Sequence, residues 1–140
     1  VEKLKEQFSV AAGKEVNICI ENEPGDYTVR ADRDHFRQCI ANLIDNAIKY
    51  SGLSVLIKIS LSQLNNELKL SVSDNGIGID SSQQNKIFQK YTRLHREQGS
   101  PSGFGIGLSY VQAVIEKHAG HIELRSESGK GSEFILYLPN

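Results

Sequence analysis

Leu68-Lys69-Leu70-Ser71-Val72-Ser73-Asp74-Asn75-Gly76-Ile77-Gly78 is the stretch on which the reading of this chain turns. Leu68, Leu70 and Val72 alternate with polar residues, the period of a strand with one face on a core. Counting on by twos lands on Asp74, whose carboxylate therefore shares the side of the apolar residues. A carboxylate on that side needs donors, because burying it unpaired is costly. Asp-Asn-Gly taken alone reads equally well as an ordinary turn, and the inward parity of Asp74 tips the reading toward function. The exocyclic amine of adenine is a donor of the required kind. Guanine offers a carbonyl at that position, acceptor against acceptor, at a cost of about 1–3 kcal/mol, so the geometry selects adenine. Gly76 and Gly78 let the backbone turn sharply and a flat ring approach it closely.

The neighbouring segments supply the rest of a sheet. Val55, Ile57, Ile59 and Leu61 alternate through a strand that an Asn65-Asn66 turn joins to Leu68. Before it, a helix capped by Asp32 or Asp34 runs to about Tyr50, with Phe36, Ile40, Leu43, Ile44, Ala47 and Ile48 inward and Gly52 as its stop. Earlier still, Val16, Ile18 and Ile20 form a strand, Pro24-Gly25 a turn, and Tyr27 to Arg30 a second short strand. Leu4, Phe8 and Ala11 predict a short amphipathic helix over residues 1–12, ended by Gly13. Downstream, residues 76–105 are rich in Gly, Ser, Gln and charge, with one helix-like piece around Lys86 to Tyr91; an excursion of that length is usually functional or mobile. A helix from Ile106 to His118 ends at Gly120, and strands at Ile122–Leu124 and Phe134–Leu138 flank a turn over Ser128 to Gly131. The expected fold is α+β: one domain over residues 1–140, a two-layer α/β sandwich with a mixed sheet, helices on one face and a lid over about 76–105.

Composition narrows the function classes. With 140 residues, 16 Lys and Arg against 17 Asp and Glu, and no basic cluster, the chain offers no footprint for nucleic acid. No apolar run is long enough to span a membrane and no secretory leader is visible. Cys19 and Cys39 are far apart and flanked by apolar residues, which reads as two buried free thiols in a reducing cytosol. A start at Val1 and the lack of any Met suggest a piece of a longer protein.

Two further clusters carry chemistry. Asn42, Asn46 and Lys49, spaced i, i+4, i+7, share one helix stripe with Tyr50 beside it. An amide oxygen is a hard ligand that suits Mg²⁺, and an ammonium suits phosphate, although the stripe alone also reads as a solvated face. Gly103-Phe104-Gly105-Ile106-Gly107-Leu108 places glycines before a helix start, where free amide hydrogens and the helix dipole favour an anion. It matches neither of the familiar phosphate-loop patterns. Between the glycine segments, Phe88 reads as the anchor of a lid whose Lys90, Arg93 and Arg96 supply cations on closure.

In this order the segments resemble the histidine kinase branch of the gyrase, Hsp90, histidine kinase and MutL ATPase superfamily. Asn42 to Ser51 resembles its N box, Asp74 to Ile79 its first glycine box, Lys86-Ile87-Phe88 its F box and Gly103 to Leu108 its second glycine box; Gly129 to Phe134 with Leu138-Pro139 resembles its last strand pair. The resemblance implies a site for ATP and Mg²⁺. Asn46 would hold the metal with Asn42 nearby, Lys49 would contact phosphate, and Tyr50 would lie near the adenosine. Asp74 would bind the adenine amine, Ser132 would assist it through water, Gly103, Gly105, Gly107 and Leu108 would lie against the nucleotide, and Arg93 would reach the γ-phosphate. The hydrolysing branches carry a Glu where this chain has Asn42, and an amide cannot act as that general base. The resemblance therefore implies transfer of the γ-phosphoryl group to a histidine on a separate dimerisation domain, with a response regulator downstream. None of His35, His95, His118 and His121 is followed by an acidic residue, as the family's acceptor usually is; that acceptor is expected upstream, in a cytoplasmic chain whose parent the resemblance would anchor in the inner membrane. A serine kinase of the anti-sigma-factor type and a non-catalytic ATP-sensing module are the alternatives.

Overall fold

The computed structural model describes residues 10–11, 13–23, 29–84, 86–88 and 104–139. Its sheet contains β1 (Val10–Ala11), β2 (Lys14–Asn22), β3 (Ser54–Leu64), β4 (Glu67–Asp74), β5 (His121–Ser126) and β6 (Ser132–Pro139), in the order β1-β2-β3-β4-β6-β5. β2 and β3 are parallel and every other pair is antiparallel. A parallel pair needs a crossover. Here it runs through α1 (Arg33–Lys49), which lies on the same face as α3 (Phe104–Lys117); a four-residue helix, α2 (Ser81–Gln84), follows β4. The expected two-layer α+β architecture is what the chain forms.

Strand parity places the core. Val16 and Ile18 of β2, Val55, Ile57 and Ile59 of β3, Leu68, Leu70 and Val72 of β4, and Phe134, Leu136 and Leu138 of β6 are all buried under the helices. α1 answers with Cys39, Ile40, Leu43, Ile44, Ala47 and Ile48, and α3 with Leu108, Val111, Val114 and Ile115. The β3–β4 hairpin closes through Asn65 and Asn66 at φ 51° and 66°. Two positive φ values make the type I′ turn that suits strand twist, and Asn tolerates it.

Both ends of α1 are fixed by polar contacts. Asp32 caps its start, accepting from the Asp34 and His35 N–H groups at 3.0 Å each. At its end Lys14 Nζ, reaching from β2, donates to the carbonyls of Ile48 at 2.5 Å and Ser51 at 2.8 Å. A cation on the last free carbonyls satisfies them and complements the dipole. α3 is clipped to the start of α1 by His118, whose Nδ1 lies 2.7 Å from the Val114 carbonyl and whose Nε2 accepts from the Asp32 N–H at 3.0 Å.

Four expectations change here. Val10 and Ala11 pair with Glu15 and Lys14, so Gly13, at φ 71°, turns a hairpin instead of ending a helix; residues 1–9 lie outside the described set. Val29 and Arg30 are irregular, and Tyr27 lies outside the described residues. The helix predicted around Lys86 to Tyr91 falls earlier, at Ser81–Gln84, with residues 86–88 forming a turn. Cys19 is exposed while Cys39 is buried: Ile18 points in, so Cys19 points out. Burial pushes the Cys39 thiol up to about 12, which makes it an inert core group.

Because α1 carries several of the candidate residues, its end cap is a direct control on the site. Replacing Lys14 with Met removes both donors while keeping an apolar stem. Urea denaturation is expected to show a loss of about 1 kcal/mol, the size of a helix-end cation or a single hydrogen bond. An unchanged midpoint would show that the carbonyls find equal partners without it.

Candidate functional site

A pocket opens between α1, the turn after β4 and the start of α3. Asn46, Ala47, Tyr50, Asp74 and Ile77 line one part of it, and Gly78, Ile79, Leu108, Ser132 and Phe134 the rest. Its empty space, open mouth included, is about 380 Å³. The lining is mostly apolar with few polar groups, as a flat heterocycle requires.

Asp74 closes β4 and pairs in register with Ser132 of β6. Its carboxylate is half-buried and its Oδ1 accepts from the Gly76 N–H at 2.8 Å. Burial pushes the Asp74 carboxyl above its ordinary 3.8, while the backbone N–H groups of Gly76 and Ser132 pull it back toward ionisation. The turn that follows is held on three sides: Ile77 N–H donates to the Tyr50 carbonyl at 3.0 Å, Asn75 Oδ1 accepts from Leu56 N–H at 3.0 Å, and Gly129 N–H donates to the Ile77 carbonyl at 2.6 Å. Gly78 sits at φ +73°, and a Cβ there would lie 2.0 Å from the Glu127 carbonyl oxygen. Gly131, at φ +82°, would put a Cβ 2.1 Å from the Asp74 carbonyl oxygen. The reason for Gly78 is thus close backbone packing against the β5–β6 turn, where sequence reasoning gave ring approach.

Asn46 is the second polar feature. It lies on the buried face of α1, 7% exposed among apolar neighbours, and its Nδ2 has no hydrogen-bond partner. Leaving such a group unmade costs about 1–3 kcal/mol, so the side chain is poorly chosen for packing and well placed for a ligand. The described residues contain no cluster of three or more His, Cys, Asp or Glu that could hold a metal. A cation there would be met by Asn46 Oδ1 and draw its other ligands from water and from the bound molecule, which is how Mg²⁺ accompanies phosphates; the unpartnered Nδ2 is a donor and would face an acceptor of that molecule.

The remaining predicted residues fall around this centre. Asn42 packs beside Gly107, its Cγ 3.7 Å from where a Gly107 Cβ would be, and its Oδ1 accepts from Gln38 Nε2 at 3.1 Å. Lys49 Nζ is 2.8 Å from Asp45 Oδ2. α3 begins at Phe104, two residues before the expected start, so Gly105 and Gly107 lie within its first turn. Arg93, Gly103, Lys90, Arg96 and His95 lie outside the described residues. Phe88 packs edge-on against Phe134 with ring centroids 6.2 Å apart, and Ile87 beside it is fully buried.

Sequence reasoning missed Ser126 and Gln84. Ser126 Oγ touches the Ile79 N–H, the Gly131 carbonyl and Ser132 Oγ. Gln84 Nε2 donates to the carbonyls of Ile79 and Ser126 at 2.9 and 3.0 Å. Neither residue stands in a motif; the one usable signal was that Ser126 falls opposite Ser132 once the Ser128–Gly131 turn is drawn.

Comparison with known proteins agrees with this geometry. The chain belongs to the family of histidine kinase-, DNA gyrase B- and HSP90-like ATPases, whose model matches residues 31–140. Within it, the likeness is to sensor histidine kinases. The chain is 42% identical over 122 residues to the adaptive-response sensory kinase SasA of Synechococcus elongatus, covering 86% of this chain and 31% of that protein. It is 33% identical over 131 residues to the sensor histidine kinase AtsR of Burkholderia thailandensis, covering 90% and 22% respectively. It therefore spans about a third or less of the curated relatives it matches. The catalytic domain of the histidine kinase ThkA superposes with a TM-score of 0.77 at 28% identity, covering 99% of this chain and 84% of that one. Full-length ShkA in complex with AMPPNP superposes at 0.84 and 24% identity, covering 99% of this chain and 28% of that one, a likeness of fold. Among the described residues no helix is long and apolar enough to cross a membrane.

The raised Asp74 carboxyl has a consequence for stability. Its folded value lies above its unfolded one, so between the two the folded protein binds more protons and stability falls as pH rises. Above that window the ionised carboxylate is a standing cost. Thermal melts are expected to show Asp74→Asn at least as stable as the parent at neutral pH, with the difference shrinking on acidification below the ordinary Asp value. A variant less stable than the parent at neutral pH would contradict this.

Proposed function

We propose that the chain is the ATP-binding catalytic domain of a sensor histidine kinase, binding MgATP and donating its γ-phosphoryl group to a histidine on a separate dimerisation domain. The observation that carries the reading is the pairing of two costly groups in one pocket: the half-buried Asp74 carboxylate at the end of β4 and the orphaned Asn46 amide on the buried face of α1. Asp74 matches the adenine end of MgATP, and the Asn46 amide matches the metal–phosphate end, its Oδ1 suited to magnesium and its unpartnered Nδ2 to a phosphate oxygen. Asp74 accepts from the adenine amine, Ser132 assists, and Tyr50 and Leu108 bound the adenosine.

Magnesium held by Asn46 would supply charge neutralisation to the β- and γ-phosphates. Lys49 exchanges the Asp45 carboxylate for a phosphate oxygen, and the amides of Gly103, Gly105 and Gly107 face the phosphates at the start of α3. Arg93 is assigned to the γ-phosphate on the family resemblance. Phosphoryl transfer asks mostly for positioning and charge neutralisation, which these residues provide. Asn42, where a hydrolysing relative has its general base, spares the phosphoryl group from water. The relatives are named as a sensory kinase and a sensor histidine kinase; with the family resemblance, the proposal extends to a parent chain with its own dimerisation domain and a response regulator as next acceptor. Two free cysteines, one of them exposed, support a reducing cytoplasmic setting.

Two measurements test the reading. Calorimetry with Mg²⁺ and a non-hydrolysable ATP analogue is expected to show Asp74→Asn weakened by about tenfold to a hundredfold, the penalty of an amide facing the adenine donor; equal affinity would overturn the adenine role. Asn46→Ala is expected to lose Mg²⁺-dependent phosphorylation of an added dimerisation domain, and phosphate that is released from the product by acid identifies phosphohistidine. Full transfer by Asn46→Ala, or an acid-stable product, would point away from this function.

A further inference from the structure

Next to the Asp74–Ser132 pair, in the same row of the sheet, lies a further hydroxyl. Ser126 does not line the pocket; it stands behind Ser132, with which it pairs in the β5–β6 ladder. Its Oγ has three neighbours: the Ile79 N–H at 2.7 Å, the Gly131 carbonyl at 3.0 Å and Ser132 Oγ at 2.8 Å.

A hydroxyl has one proton and two lone pairs. The Ile79 N–H can only donate and the Gly131 carbonyl can only accept. Ser126 therefore spends its proton on Gly131 and one lone pair on Ile79, and its remaining lone pair faces Ser132. The arrangement that satisfies all three contacts has Ser132 donating to Ser126. The Ser132 proton is then committed away from the pocket, and the side of Ser132 Oγ that lines the pocket presents only lone pairs. Asp74 beside it is a carboxylate, also an acceptor. The pocket floor becomes acceptor next to acceptor, a pair that matches the two hydrogens of one exocyclic amine and repels a carbonyl in its place.

We infer that Ser126 is a specificity-determining positioning residue: by holding the Ser132 hydroxyl as an acceptor, it extends the discrimination of Asp74 for a base edge that carries an amine over one that carries a carbonyl. This rests on the nucleotide reading above. Without the Ser126 hydroxyl, Ser132 is free to rotate and donate, and a 6-oxopurine finds a partner on the floor. Gln84 holds the same backbone from the other side, donating to the carbonyls of Ile79 and Ser126, so the hydroxyl is fixed in place as well as in direction.

The test is calorimetric binding of ADP and of inosine diphosphate, each with Mg²⁺, to the parent chain, Ser126→Ala, Ser126→Thr and Ser132→Ala, with circular dichroism to verify folding. In the parent, ADP is expected to bind well ahead of inosine diphosphate. In Ser126→Ala the ratio of the two affinities is expected to fall about tenfold, the worth of one hydrogen bond, with part of the change a gain for inosine diphosphate. Ser126→Thr keeps the hydroxyl and is expected to restore the ratio. A general loosening of the site would weaken both ligands together and leave the ratio alone, and that result overturns the inference. Should Ser126→Ala fail to fold, Ser132→Ala decides: a ratio equal to the parent's overturns the proposal and a fall supports it. If the parent binds neither nucleotide, the nucleotide reading falls and this inference with it; a parent that prefers ADP with an unchanged ratio in the variants overturns the inference alone.

Discussion

The binding site is organised around one carboxylate kept at the edge of a hydrophobic layer, at a cost to the fold. Asp74 continues the inward parity of Leu68, Leu70 and Val72, so the register that buries those side chains also turns its carboxylate toward the core. It stays ionisable because two backbone N–H groups, from Gly76 and Ser132, face it. Gly76 donates from the turn after β4 and Ser132 from the start of β6, in register with Asp74. The site is therefore not an addition to the sheet. It is what the sheet does where β4 ends.

α1 bears the complementary tension. Its buried face is apolar except at Asn46, and a helix chosen only for stability would place an aliphatic residue there. The cost is borne by good packing on either side, where Leu43 and Ile44 are almost fully buried, and by firm ends: Asp32 at the start, and Lys14 and Ser51 at the finish. His118 and Gly107 then set α3 alongside. The two helices that flank the pocket are thus tied to each other at both ends, which leaves the pocket wall open between fixed points.

Much of this was legible in the chain. Period-two alternation located β2, β3, β4 and β6, and the same parity turns Asp74 inward. The helix stripe gave α1 and put Asn46 near the site. What escaped was set by contacts distant in sequence. Val10 and Ala11 carry an amphipathic pattern, but β2 offers them an unpaired edge and they take it. Cys19 sits among apolar residues and still points outward, because composition says nothing of parity. Ser126 and Gln84 matter only through carbonyls and hydroxyls that the fold brings close, and nothing local distinguishes them from ordinary surface residues.

The close approach of Gly78 to Glu127 and of Gly131 to Asp74 has a meaning for how such domains could be rebuilt. The loop after β4 and the loop before β6 are moulded onto one another through main chain, with no side chain between them to absorb a mismatch. They behave as a single part supplied by two stretches of gene. A hybrid made by joining the first half of this domain to the second half of a cousin would inherit halves of two different moulds, whereas one that carries both loops from the same parent would keep its binding floor whole.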